Sequence, residues 1–165
     1  MAQTHILVAE DYSSVAELIQ MSLEAQGYRV SVTDSLANAV SVAERWRIDL
    51  LLTDLRLGDG MGWDLLAKIQ KTQPVPGIVM SGYSDQAYID FSKEAGFLEY
   101  LVKPLDENKL CEAVSRALMH RVEKAVPSLP THRKGRSLLA PVQGGRGIGA
   151  PRVSRCETQA KRGIG

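Results

Sequence analysis

Four short apolar runs in this chain each hand over to a polar group that can do chemistry. Leu50–Thr53 is followed by Asp54, and His5–Ala9 by the pair Glu10-Asp11. The run Gly77–Ser81 closes on a hydroxyl, and Tyr100–Val102 leads into Lys103 and Pro104. Three carboxylates brought into one small site repel each other and need a compensating charge. A hard divalent cation held through oxygen supplies it, and one or two carboxylates with several waters suit Mg2+. Lys103 adds a fixed positive charge and Ser81 a hydroxyl. That set fits phosphoryl transfer to a carboxylate. Asp54 would be the nucleophile that forms an acyl phosphate, and Lys103 and Ser81 would hold the other phosphoryl oxygens. Taken singly, each residue has a plainer role. Asp is common where strands end, Glu10-Asp11 favours the start of a helix, Ser81 precedes a glycine, and lysine is mostly a solvated surface charge. The joint placement, each group at the carboxyl end of its own strand, is what carries the chemical reading.

The elements that must position these groups follow from periodicity. Strands are expected at His5–Ala9, Arg29–Thr33, Leu50–Thr53, Gly77–Ser81 and Tyr100–Val102, and the central ones are nearly continuous apolar runs, as strands buried on both faces should be. Helices are expected at Ser13–Gln26, Leu36–Trp46, Gly62–Thr72, Asp85–Glu94 and from Glu107 to about Val122. Ser13 or Ser14 is expected to cap the first helix at its start and Asp106 the last one, while Gly27 closes the first. Five strands alternating with five helices predict an α/β, doubly wound parallel sheet with helices on both faces. In such a sheet, functional groups collect beyond the carboxyl ends of the strands. If the order is 2-1-3-4-5, the first and third strands are neighbours, and Glu10, Asp11 and Asp54 share one crevice.

The chain has 165 residues and a formal net charge of +1, which hides an asymmetry. Residues 1–126 carry 12 Lys+Arg against 18 Asp+Glu, and residues 127–165 carry 8 against 1. The expected organisation is therefore an acidic domain over residues 1–125 and a basic Gly/Pro/Arg-rich tail over 126–165, too poor in apolar periodicity to form a core. The string RGIG occurs at Arg146–Gly149 and Arg162–Gly165, which is weak evidence of a repeat. Cys111 and Cys156 form no CxxC or Cys/His cluster. That points away from structural zinc and a disulfide framework and towards a reducing compartment, the cytoplasm. No signal peptide or membrane-length apolar run is expected.

With these motifs in place, the chain resembles the receiver domain of two-component response regulators, of the flavodoxin-like fold. The resemblance runs from about Thr4 to Arg121. It rests on ILVAED with the acidic pair, DLLLTDLRLGDGMGWDLL around Asp54, IVMSGY with Ser81, and YLVKP with Lys103. It implies the strand order 2-1-3-4-5 and the role of each matching residue. Asp54 corresponds to the phosphorylated aspartate. Glu10 and Asp11 correspond to the acidic pair that organises Mg2+, and the main-chain carbonyl of Arg56 to a further metal ligand. Ser81 corresponds to the switch hydroxyl, Tyr100 to the switch aromatic, and Lys103 to the family's lysine, with a Lys103–Pro104 bond that is often cis. Two departures stand out. Glu10 replaces the usual Asp and is one methylene longer, and Gly58 replaces the usual Pro, which should loosen the loop after Asp54.

The implied function is a phosphoacceptor signalling domain rather than an enzyme. It would take its phosphoryl group from a histidine kinase or histidine phosphotransfer protein. Ser81 would then be drawn to the phosphoryl group and Tyr100 turned inward, altering the face of helix 4, strand 5 and helix 5 for a downstream protein. With no second folded domain expected after Val126, output by protein contact is the default. A competing class has the basic tail binding nucleic acid or another acidic partner. The lack of interleaved aromatics in the tail disfavours it. Dehalogenase-like phosphatases want DxDx after strand 1 where this chain has AEDYS, and Toprim-type sites want DxD after strand 3 where it has DLR.

Overall fold

The structure is a computed structural model. It describes residues 2–125, with side chains to residue 121. The expected basic tail therefore lies outside the described residues. A five-stranded parallel sheet runs in the order β2 (Arg29–Thr33), β1 (His5–Ala9), β3 (Leu50–Asp54), β6 (Gly77–Ser81), β7 (Glu99–Val102). This is the 2-1-3-4-5 order of the main strands. Among the described residues, four helices connect these strands, α1 (Ser13–Ala25), α2 (Leu36–Arg45), α3 (Gly62–Gln70) and α4 (Gln86–Glu94), and α5 (Glu107–Ala125) follows β7.

The apolar runs are continuous because each strand faces two cores. Ile6, Val8, Leu50, Leu52, Ile78 and Met80 pack against Ile19 and Leu23 of α1 and Leu110, Ala113 and Val114 of α5. The alternate residues Leu7, Leu51 and Val79 pack against Ala39 and Ala43 of α2 and Leu65, Leu66 and Ile69 of α3. Period-two alternation sends successive side chains to opposite layers, so no position in a central strand is left for a carboxylate or ammonium until the strand ends.

Several boundaries differ from the sequence reading. Strand β3 runs through Asp54, one residue beyond its expected end, because the N–H of Leu55 still donates to the carbonyl of Met80 at 2.8 Å. Tyr12, not Ser13 or Ser14, occupies the cap position of α1, and no side chain caps it. Asp106 does cap α5, accepting from the N–H groups of Asn108 (2.9 Å) and Lys109 (3.1 Å). Gly27 takes a left-handed φ of 88° after α1, a conformation that favours glycine. The segment after β3, expected to be a plain loop, contains a two-stranded antiparallel ladder, β4 (Arg56–Leu57) and β5 (Gly60–Met61). The Lys103–Pro104 bond is cis.

At the opposite end of the sheet, His5 is buried. Its Nδ1 lies 3.1 Å from the carbonyl of Arg47 and its Nε2 2.8 Å from Ser31 Oγ. Its backbone N–H donates to Asp49 Oδ2 at 2.8 Å, and Arg121 donates to Asp49 Oδ1. Burial, helped by the Arg29 charge, pushes the imidazole below its ordinary 6.5. Burial alone would raise the Asp49 carboxyl, but the His5 N–H and Arg121 outweigh it and hold it below 3.8. In both cases the unfolded chain binds more protons than the folded one at the same acid pH, so stability rises with pH. The expected result is a two-step loss on acidification. The His5 contribution falls away below about pH 6.5, and the Asp49 contribution goes further down, as its carboxyl protonates. Urea unfolding of wild type and His5→Gln across this range checks it. The variant should lose the first step and keep the second.

Candidate functional site

Sheet register decides where the chemical groups meet. Ala9 pairs with Thr53 and Asp54 with Met80, so Glu10, Asp54 and Ser81 emerge side by side from three adjacent strands. The N–H of Glu10 donates to the carbonyl of Thr33 at 2.9 Å, and the N–H of Lys103 to that of Ser81 at 2.8 Å. The ladders thus continue one residue past β1 and β7 and fix both side chains at the carboxyl edge.

Ligand oxygens of Glu10, Asp11 and Asp54 lie within 4.8 Å of one another. The Lys103 ammonium donates to Glu10 Oε2 at 2.7 Å and to Asp54 Oδ2 at 3.0 Å. The second oxygen of Glu10 accepts the N–H of Tyr12 at 3.1 Å, and Asp54 Oδ1 accepts the N–H of Arg56 at 3.2 Å. Glu10 is only 1% exposed and Asp54 8%, whereas Asp11 is open to solvent. Burial pushes the Glu10 carboxyl above its ordinary value, against the pull of Lys103. Burial would lower the Lys103 ammonium, but its bonds to Glu10 and Asp54 prevail and raise it. The longer side chain of Glu10 is thus taken up by two partners beneath the cluster.

Ser81 is buried, and its Oγ accepts the N–H of Tyr83 at 3.0 Å. Tyr100 is half-buried, and its hydroxyl donates to the carbonyl of Tyr83 at 2.7 Å. Tyr83 therefore joins the two switch candidates. Its ring also lies under the guanidinium of Arg56, 4.9 Å from the centroid, and 5.3 Å from the ring of Tyr88. Trp63 of α3 extends this group. It packs on Phe91 at 4.3 Å and donates to Ser92 Oγ of α4 at 2.9 Å. The sequence motifs place the Arg56 carbonyl at the site, but no periodicity along the chain signals the Trp63–Ser92 link.

Glycine is required where the loop returns past the site. A Cβ on Gly62 would sit 2.6 Å from the carbonyl oxygen of Asp54 and 3.1 Å from Thr53 Cγ2. The first of these is backbone and cannot rotate away. Gly62→Ala is expected to cost about 2 kcal/mol and to displace the end of β3. Urea unfolding together with the rate of acetyl phosphate labelling checks it, and both should fall. Gly58 is different. A Cβ there would meet nothing within 4 Å, its φ is not left-handed, and the loop around it is tied down at Asp59. The Asp59 carboxylate accepts the N–H groups of Leu36 (2.7 Å) and Ala37 (3.0 Å). Those N–H groups, Ala37 first, hold its carboxyl below the ordinary range. The expected loosening at Gly58 is therefore met by a tether on its neighbour.

An acidic trio closed by one lysine at the carboxyl edge of a 2-1-3-4-5 sheet is a specific arrangement. Residues 6–115 match the family described as response regulator receiver domain. The chain belongs to this family. The receiver is 31% identical over 115 residues to the transcriptional regulatory protein GlrR of Escherichia coli K12, a match covering 69% of this chain and 26% of that protein. It is 34% identical over 119 residues to ZraR of Klebsiella oxytoca, covering 72% and 27%. The chain thus spans about a quarter of the length of these curated relatives. Among solved structures, a CheY-like receiver domain from Methanospirillum hungatei JF-1 superposes with a TM-score of 0.70 at 27% identity, covering 74% of this chain and 99% of that one. The receiver is a signalling domain of the two-component type. Among its described residues, no helix is long and apolar enough to cross a membrane.

Proposed function

We propose that this receiver accepts a phosphoryl group on Asp54, with Mg2+ held by Glu10, Asp11, Asp54 and the Arg56 main-chain carbonyl. The observation that carries this is Lys103, whose ammonium bridges Glu10 and Asp54 while Asp11 lies in the same oxygen cluster. All three side-chain donors are hard oxygens, and one cation against three carboxylates leaves negative charge uncompensated, so the residues fit the metal. Bound there, Mg2+ would supply the missing positive charge and neutralise the oxygens of the transferred group.

The chain's own groups do the rest. An Asp54 carboxylate oxygen forms the bond to phosphorus as the phosphorus–nitrogen bond of a donor phosphohistidine breaks, and the imidazole leaves with the electron pair. Lys103 already touches Asp54, and its ammonium can pass to a phosphoryl oxygen without leaving the site. Ser81 uses its oxygen to accept from Tyr83, so its O–H remains able to donate to the phosphoryl group. That movement would disturb the Tyr83 N–H contact and, through the Tyr83 carbonyl, the anchor of Tyr100. A charge change at one end of the sheet would thereby reach the α4–β7–α5 face. Three features support that face as the output surface. β7 is an edge strand, Arg116 of α5 binds Glu99 at 2.8 Å, and Val102 and Met119 are exposed. The donor would be a histidine kinase or phosphotransfer protein, the recipient a downstream protein, and the location the cytoplasm. A nucleic-acid role for the basic tail stays the less favoured reading.

Acetyl phosphate tests the metal requirement. Wild type should be labelled in Mg2+ and lose nearly all labelling when EDTA is present. Equal labelling in the chelator contradicts the proposed metal site.

A further inference from the structure

We infer that Asp59 is a positioning residue for the phosphorylation site, fastening the loop after Asp54 to the amino end of α2. This rests on the reading of the site given above. Asp59 sits between β4 and β5, at the far end of the loop that carries Arg56. It reaches 23 residues back along the chain to accept the N–H groups of Leu36 and Ala37. These are the first two N–H groups of a 10-residue helix, where unpaired donors and the positive end of the helix dipole both favour a carboxylate. The third N–H, that of Asn38, is already taken by Ser35 Oγ at 3.2 Å. The helix therefore has its own local cap, and the contribution of Asp59 is to join two distant segments.

The contact continues at the residue after Asp59. A Cβ on Gly60 would lie 2.7 Å from Leu36 Cδ1, so the loop rests directly on the side chain that opens α2. On the other side, the N–H of Gly62 donates to the carbonyl of Leu55 at 2.8 Å. Arg56 thus lies within a hairpin that Asp59 fastens at its tip and the Gly62–Leu55 bond closes at its base, with its own N–H on Asp54 Oδ1. A main-chain metal ligand has no side-chain rotamer to adjust. Its position is set only by how the surrounding backbone is fastened, as outer-shell partners set the position of metal ligands in general.

The test compares the two residues that cap the same helix. Asp59→Ala should raise the Mg2+ dissociation constant of the full chain, measured by calorimetry, about tenfold. Acetyl phosphate labelling should be slow at low Mg2+ and recover at saturating Mg2+. Asp59→Asn keeps one acceptor oxygen and should fall between. Ser35→Ala weakens the helix cap without touching the loop, so it should lower the melting temperature and leave Mg2+ affinity unchanged. Wild-type Mg2+ affinity in Asp59→Ala and Asp59→Asn overturns the inference. So does a loss of affinity in Ser35→Ala equal to that in Asp59→Ala, since Asp59 would then act only as a cap. Failure of the wild-type chain to bind Mg2+ overturns the site assignment and this inference together, whereas normal wild-type binding with unchanged variants overturns this inference alone.

Discussion

Asp54→Asn should abolish labelling by acetyl phosphate in Mg2+ while leaving the fold intact. The two side chains have the same shape, but the amide oxygen is a poor nucleophile and carries no charge to share with a cation. No neighbour can take over the attack. Glu10 is only 1% exposed against 8% for Asp54, too deeply buried for a donor's phosphorus to reach, and Asp11 lies outside the sheet on the solvent side. The same substitution removes one of three clustered carboxylates, and like charges in a small site disfavour their common ionised state. Its stability in urea should therefore equal or exceed that of wild type. Together these results separate a chemical defect from a folding defect. Residual labelling comparable to wild type would mean that another residue accepts the phosphoryl group.

Lys103→Met should slow labelling by about 10²-fold, the usual consequence of removing one charged donor from a transition state. Methionine keeps much of the chain length and apolar volume, so the loss is confined to the ammonium. The unfolding free energy should also fall, by about 3 kcal/mol, because Glu10 and Asp54 lose the cation that bridges them and stay buried. Mg2+ should restore part of that stability, since it binds the same carboxylates. Urea unfolding with and without Mg2+, alongside initial labelling rates, measures both effects. A variant that is as fast and as stable as wild type would contradict the role assigned to Lys103.

The parallel sheet was legible because its strands are buried on both faces. Leu50, Leu51 and Leu52 send side chains to alternate cores, so the run is apolar without a gap, and the first charged residue marks the edge. Glu10, Asp54, Ser81 and Lys103 could be placed together for the same reason. Each is fixed by a strand end, and parallel register aligns those ends. The β4–β5 hairpin had no such signal. Strands of two residues are too short for periodicity, and Gly58 and Gly60 read as loop. The grip of Asp59 on Leu36 and Ala37, the stack of Arg56 on Tyr83 and the bond from Trp63 to Ser92 all join residues distant in the chain through side-chain geometry. A pattern along the sequence does not carry such contacts. Ser13 and Ser14 were plausible caps by residue type, yet the chain turns at Tyr12, one residue earlier, because Glu10 Oε1 binds the Tyr12 N–H and draws the turn toward the site.

The most direct measurement locates the phosphoryl group itself. Wild-type protein labelled with acetyl phosphate in Mg2+ is treated with borohydride, which reduces an aspartyl phosphate to homoserine, and is then digested and sequenced by mass spectrometry. Homoserine at position 54 and nowhere else is the predicted result. An unmodified Asp54 in protein that has taken up the label, or homoserine at Asp11, would contradict the account.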